Sequence, residues 1–238
     1  MGLLLYTTEY RNQLSPEYLH SLVDKLPPTI QRKALQYRRW QDSYGCIFGN
    51  YLLRIGLKKM KSPTNLSELQ YSPERKPFFH GGPHFNISHS ANRVVCLLSN
   101  ERKVGIDIEY IADDISLDDF QMQFTHAEWS AIHSADAPKE KFYQFWTAKE
   151  SVIKADGRGL GIPLQELDVS KDQTILLDGN AWSLTSLSHF DGYACHFCVG
   201  DLPMGDLELP LGDLELPLGD LEFYEIPASA LYGQWLEL

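Results

Sequence analysis

Cysteine is scarce, with four residues in 238. That is too few for a scaffold built on disulfides. Cys195 and Cys198 have the spacing of a zinc or redox motif. Tyr193 to Val199 alternates like a strand, however, which sets the two on opposite faces. Cys46 and Cys96 form no second ligand pair, so a four-ligand zinc site lacks its other half. The cysteines read as structural. Long apolar runs are missing too, and none approaches the length that spans a membrane. The opening segment Met1-Gly-Leu-Leu-Leu-Tyr6 lacks a basic stretch and a cleavage site, so it reads as a first strand rather than a signal peptide. The sequons at Asn65 and Asn86 are then chance matches in a cytoplasmic chain. A phosphate loop is also absent. Gly157-Arg-Gly-Leu-Gly161 has the glycines for one, but it closes a helix instead of opening one.

Charge is unevenly spread. Residues 1–104 hold 15 Lys and Arg against 7 Asp and Glu, a net of +8, and residues 105–238 hold 6 against 25, a net of −19. A nucleic-acid binder would want a basic face throughout, so that class is disfavoured. A basic half beside an acidic half suits a phosphate-rich ligand on one side and a metal on the other. Residues 200–238 hold nine acids and no Lys or Arg. There Gly205-Asp-Leu-Glu-Leu-Pro-Leu211 recurs whole at 212–218 and in part at 219–225. A period of seven would suit a coiled coil, but Pro and Gly in every repeat exclude one. We expect an acidic, extended or partly disordered tail there, with a last strand at Leu221–Ile226.

What is present centres on residues 142–160. Phe142, Phe145, Trp146, Val152 and Ile153 recur at helical spacing, and Gly157 supplies a left-handed cap. Glu150 and Lys154 lie one turn apart on the flank of this stripe. Lys149 falls inside the stripe, where a charge is costly without a partner. A second segment, Val104 to Glu109, alternates as a strand. Val104, Ile106 and Ile108 point one way and Gly105, Asp107 and Glu109 the other. Two carboxylates two apart can share a hard cation such as magnesium, and Glu150 would add a third. Gly105 would leave room for a ligand to approach the backbone.

The rest of the chain reads coarsely. Helices are expected from Ser15 to Lys25, from Thr29 through Arg39, and from Gln41 to Lys61, the second carrying Arg32, Lys33, Arg38 and Arg39. Lys76 precedes Pro77, which holds its backbone extended. Phe85–Ser88 should be a strand leading to a turn at Ser88-His89-Ser90, with another strand at Arg93–Ser99. Thr125-His-Ala-Glu128 matches a capping box. Leu167–Ser170, Thr174–Leu177, Trp182–Leu187 and Tyr193–Val199 read as an antiparallel meander.

Four motifs in order carry a resemblance: Lys76-Pro77, Phe85-Asn-Ile-Ser88-His89-Ser90, Gly105-Ile-Asp107-Ile-Glu109 and Trp146-Thr-Ala-Lys149-Glu150-Ser-Val-Ile-Lys154. Over roughly residues 1–199 the chain resembles the Sfp-type 4'-phosphopantetheinyl transferases. The resemblance implies an α+β fold of two similar small α/β subdomains related by a pseudo-twofold, with coenzyme A at their interface. The division would be 1–104, a basic subdomain on the nucleotide side; 105–199, carrying the metal and the catalytic helix; and the tail 200–238. It implies transfer of the 4'-phosphopantetheine arm of coenzyme A to a serine of an apo acyl or peptidyl carrier protein of fatty-acid, polyketide or nonribosomal peptide synthesis. Magnesium would assist, and 3',5'-ADP would be released. Asp107, Glu109 and Glu150 would be metal ligands. Lys33, Arg39, Lys76, Ser88, His89 and Lys154 would bind the coenzyme, and Glu150 and Lys154 would be catalytic. The base stays open among Glu150, a metal-bound water and another residue. The expected molecule is a cytoplasmic monomer that binds neither nucleic acid nor membrane. The chain departs from the family at Arg75, where members usually have glycine, and at Tyr44 and Gly45, where many carry a base. Arg39 is the expected substitute. A magnesium-dependent nuclease or phosphodiesterase and a carrier-protein or coenzyme-binding module without catalysis are the rival readings.

Overall fold

The computed structural model describes residues 2–171, 173–203 and 221–232. The fold is a mixture of helices and sheets, and the chain divides into two compact units. One takes in residues 2–101 and 221–232, and the other residues 102–171 and 173–203.

The first unit starts with β1 (Leu3–Glu9), then α1 (Pro16–Val23), α2 (Pro28–Gln36) and α3 (Trp40–Lys59). A two-stranded ribbon follows, β2 (Gln70–Tyr71) with β3 (Pro77–Phe78), and then the hairpin β4 (His84–Ser90) and β5 (Arg93–Ser99). Proline fixes both early helix starts, because its missing N–H falls where the helix needs none. Ser15 adds a side-chain cap to α1 by accepting from Tyr18 N. Helix α2 is shorter than the periodicity suggested. Tyr37 is extended, with ψ 136, so Arg38 and Arg39 lie outside the helix, and Arg39 is the residue that leads into α3. The core gathers Tyr10, Ile30, Phe48, Leu52 and Leu53 under the sheet.

The predicted turn at Ser88-His89-Ser90 is strand. Register holds through Ser90 opposite Arg93, and the chain reverses over Ala91 and Asn92, with Ala91 at φ 49. Two-residue hairpins need positive φ to match the twist of their strands.

The second unit runs through β6 (Lys103–Tyr110), α4 (His126–Ser134), α5 (Pro138–Asp156), β7 (Thr174–Leu177), β8 (Asn180–Ser186) and β9 (Tyr193–Pro203). Its sheet has the order β6-β9-β8-β7, all neighbours antiparallel. Helix α5 packs on this sheet around Phe142, Val152 and Trp182. It ends as expected at Gly157, which has φ 99 and donates its N–H to Ile153 O. The capping box at Thr125 and Glu128 forms.

Leu167–Ser170 is not a strand. Its backbone groups are taken by side chains instead of a neighbouring strand. Leu167 O accepts from Lys149 Nζ at 2.6 Å, and Val169 N donates to Glu128 Oε1 at 2.9 Å. These two side chains form a buried ion pair at 2.7 Å with neither exposed. Lys149 also donates to Leu164 O at 2.7 Å and lies 5.5 Å from the centre of the Phe124 ring. Burial pushes the Lys149 ammonium below the ordinary lysine range, and Glu128 opposes that. The apparent misfit in the apolar stripe therefore has a full set of partners.

The chain then returns to the first unit. β10 (Leu221–Glu225) runs parallel to β1, with Leu3 opposite Leu221, and completes the sheet order β10-β1-β5-β4. A short α6 (Ala228–Tyr232) follows, and its Leu231 is buried in the first core. The last segment is thus part of the sheet, as a strand at Leu221–Ile226 requires, rather than the end of a loose tail. The repeats at 205–218 lie outside the described residues.

Removing one partner of a buried ion pair leaves an uncompensated charge. Lys149→Met should cost about 3–5 kcal/mol of unfolding free energy. Adding Glu128→Gln should restore part of that loss. Urea unfolding of the two single variants and the double variant measures this, and strictly additive losses would show that the pair is not coupled.

Candidate active site

In the second unit the site is built by one close approach. A Cβ on Gly105 would lie 2.0 Å from Ser151 O and 2.4 Å from Ala155 N. The backbone of α5 therefore lies directly on β6 at this point, and only glycine permits it. Sequence reading gave that space to a ligand, and the structure fills it with the helix. Gly105, Asp107 and Glu109 do share a strand face, but it is the face that α5 covers.

The consequence is contact between the two motifs. Lys154 Nζ lies 2.5 Å from Asp107 Oδ1. Asp107 is 2% exposed, while the Lys154 side chain is 28% exposed. Glu150, one turn earlier, is half-buried beside them. Burial first, and the charge of Asp107 second, raise the Glu150 carboxyl above the ordinary range, against Lys154, which lowers it. For Lys154 burial works against the charge. Asp107, by charge and hydrogen bond, with Glu150 and Glu109 behind it, outweighs that and holds the ammonium above its usual range. Asp107, Glu109, Glu150 and Lys154 thus form one electrostatic group. Among the described residues no three His, Cys, Asp or Glu side chains stand as a ready metal cage.

His196 is a neighbour that the sequence reading used only as part of a strand. It stands opposite Asp107 across β6 and β9, on the same face, and its Nδ1 lies 2.8 Å from Thr147 Oγ1 on α5. Cys198 stands opposite Gly105 and Cys195 opposite Ile108, so the two cysteines face opposite ways, as expected from alternation. All four cysteines are buried and unbridged.

In the first unit the candidate coenzyme residues come from separate elements. Lys33 on α2 lies over the Tyr71 ring, 5.6 Å from its centre. Tyr71 pairs with Pro77, so Lys76 is the adjoining residue. The loop before Lys76 is closed from both sides, Lys76 N donating to Ser72 Oγ and Ser72 N to Lys76 O. Arg75 adopts φ 66 there, a conformation that favours glycine, which explains why a glycine suits that position. Ser88 is buried on β4, and His89 follows it. The His89 ring rests against Gly45 on α3, where an added Cβ would come within 2.4 Å of it. Tyr44 is core, its hydroxyl accepting from Leu14 N at 2.6 Å. Neither residue 44 nor residue 45 offers a charge. Burial raises the Cys46 thiol, and the charge of Lys33 draws it back. Arg39, exposed, sits just before α3. Tyr71 was not singled out in the sequence, because nothing local marks it as the platform for Lys33.

Burial, and then the charge of Lys141, depress His196 to about 4 from an ordinary 6.5. Above pH 6.5 neither the folded nor the unfolded chain protonates it. Between pH 6.5 and 4 only the unfolded chain binds the proton, so stability falls as the pH falls. At 1.36 kcal/mol per unit the full loss is roughly 3 kcal/mol. His196→Gln should lose about 2 kcal/mol less than the wild type between pH 7 and 4.5, as read by urea unfolding at both pH values. Equal losses would mean that His196 is not held neutral.

Comparison with known proteins covers up to 79% of the chain. Residues 103–198 match the family model described as the 4'-phosphopantetheinyl transferase superfamily. The 4'-phosphopantetheinyl transferase gsp of Aneurinibacillus migulanus is 32% identical over 197 residues, covering 79% of this chain and 81% of that protein. The 4'-phosphopantetheinyl transferase Sfp of Bacillus subtilis is 31% identical over 168 residues, covering 67% and 73%. The human L-aminoadipate-semialdehyde dehydrogenase-phosphopantetheinyl transferase is 30% identical over 182 residues, covering 69% and 59%. With Lys154 set on Asp107 and Glu150 beside them, and with likeness on this scale, the chain belongs to the 4'-phosphopantetheinyl transferase superfamily and is an enzyme of that class.

Proposed function

We propose that the enzyme transfers the 4'-phosphopantetheine arm of coenzyme A to a serine of an apo acyl or peptidyl carrier protein, releasing 3',5'-ADP. The observation that supports this most is the group formed by Asp107, Lys154 and Glu150. It joins hard oxygen donors to a cation, which is what a pyrophosphate and its counter-ion require. In this reading the pseudo-twofold fold of the family applies, and residues of both units bind one coenzyme molecule. The enzyme acts as a cytoplasmic monomer.

Asp107, Glu109 and Glu150 are the residues that would hold magnesium, and their all-oxygen chemistry fits it. Magnesium takes one or two carboxylates and completes its shell with water and phosphate oxygens, so a ready protein cage is not required. When bound it would supply charge neutralisation at the pyrophosphate. Lys154 adds a positive charge to the same oxygens, and its partial exposure lets it reach them. Lys33, Arg39, Lys76, Ser88 and His89 bind the nucleotide end. The serine oxygen forms a bond to the phosphorus next to the pantetheine arm. The bond from that phosphorus to the bridging oxygen breaks, and 3',5'-ADP leaves with the electron pair. Glu150 takes the serine proton, directly or through water. Its raised pKa makes it a better base than an ordinary carboxylate, and a bound cation would draw it back down.

The direct experiment is incubation with coenzyme A and an apo carrier protein, with magnesium and with chelator. A mass gain on the carrier serine is expected only with the metal. Asp107→Asn keeps the shape but removes the charge, and should lower kcat/KM by roughly 10²–10³-fold. Ile106→Ala should instead cost about 2–5 kcal/mol of stability and leave turnover of the folded enzyme near normal. Near-normal transfer by Asp107→Asn would remove the site assignment.

The nucleotide end is tested separately. Lys76→Ala should raise the KM for coenzyme A about tenfold and change kcat little, because the 3'-phosphate is remote from the reacting phosphorus. Dephospho-coenzyme A should be a poorer donor for the wild type, and Lys76→Ala should discriminate less between the two. Equal discrimination by both proteins would make Lys76 an ordinary surface lysine.

A further inference from the structure

The first unit contains a cavity that none of the coenzyme residues lines. It has a volume of about 570 Å³ and lies at the C-terminal end of α3. Ligand pockets commonly measure about 300–1,000 Å³. Arg54 and Lys58 of α3 line it, with Lys25 from the turn after α1. Ser62, Thr64 and Ser67 bring hydroxyls from the loop that follows α3. Leu57 and Leu66, both buried, supply an apolar floor.

Among the described residues no carboxylate lines it. Lys25, Arg54 and Lys58 on one concave surface give it the positive potential that attracts an anion. Two acids lie close in sequence. Glu68 is turned to Asn65, whose backbone N–H and side-chain amide both donate to it, and Asp24 is not among the lining residues. The N-terminal end of α2, where the helix dipole is positive, reaches the cavity through Pro27. Serine and threonine hydroxyls beside Arg and Lys form a donor set suited to phosphate oxygens.

This cavity is separate from the candidate coenzyme residues. His89 meets α3 at Gly45, and Arg54, the nearest lining residue on that helix, is nine residues further along. At 1.5 Å per residue the two points are about 14 Å apart along the axis.

We propose that this cavity binds a small organic phosphate, its phosphate held by Lys25, Arg54 and Lys58 and its apolar part resting on Leu57 and Leu66. The inference is independent of the coenzyme reading. The floor selects an organic phosphate over the free ion, and the cations select phosphate over an uncharged molecule of the same shape.

The test uses the full chain and phenyl phosphate as probe, with inorganic phosphate and phenol as comparisons. Calorimetry and amide NMR shifts are recorded on the wild type, on Arg54→Gln/Lys58→Gln and on Lys76→Ala. Saturable binding of phenyl phosphate is expected, with shifts at Lys25 and 62–67. The double variant should bind at least tenfold more weakly while its phosphopantetheine transfer is unchanged. Lys76→Ala should bind as the wild type does. The proposal fails if phenyl phosphate does not saturate, if inorganic phosphate binds equally well, or if phenol does. It also fails if the Lys76→Ala change, rather than the double change, abolishes binding, since the probe would then sit among the coenzyme residues.

Discussion

The second unit depends on one constraint, the missing side chain of Gly105. With the backbone of α5 resting on β6, successive residues of that helix are sent to fixed and different destinations. Consecutive helical residues point about 100° apart. Lys149 therefore turns into the core, towards Glu128, while Glu150 and, one turn later, Lys154 turn to Asp107. A larger residue at position 105 would lift the helix and draw Glu150 and Lys154 away from Asp107. The structural and chemical pairs are thus carried by the same helix, and the second depends on this contact.

The two ion pairs show how burial divides these tasks. Lys149 and Glu128 have no exposure and are surrounded by fixed backbone partners, Leu164 O and Leu167 O on one side and Val169 N on the other. Such a pair is rigid, because every alternative leaves a charge unsolvated. Lys154 keeps 28% of its side chain exposed. That side chain stays in contact with water while it bonds Asp107. The first pair holds the segment after the helix, and the second keeps the freedom that the proposed function asks of it.

The elements that could be read from the sequence are those with local causes. The apolar stripe of α5, the Gly157 cap, the capping box at Thr125 and the alternation of Asp107 and Glu109 all follow from periods of 3.6 and 2. Glu150 and Lys154 could be assigned to one flank for the same reason. Two misreadings are local, the end of α2 and the place of the turn after β4, and the others are long-range. Alternation at Leu167–Ser170 resembles a strand, but Glu128 and Lys149, distant in sequence, take its hydrogen bonds. Gly105 announces a close approach without naming the partner. His196 looked like one strand residue among several, and only pairing with β6 puts it opposite Asp107. Tyr71 became notable only once Lys33 was found above it.

The parallel pairing of β10 with β1 reaches across nearly the whole chain, from Leu3 to Leu221. During synthesis the ribosome releases β1 long before its last neighbour exists. At translation rates of about 5–20 residues per second, the interval is on the order of ten to forty seconds. Over that interval the leucine-rich strand Leu3–Glu9 is an open edge on a growing polypeptide. The nascent first half can collapse around α3, but its sheet closes only after everything between has been translated. Chaperone demand should therefore concentrate on that edge, and ribosome stalling late in the message would release a chain whose second unit is complete and whose first sheet is not.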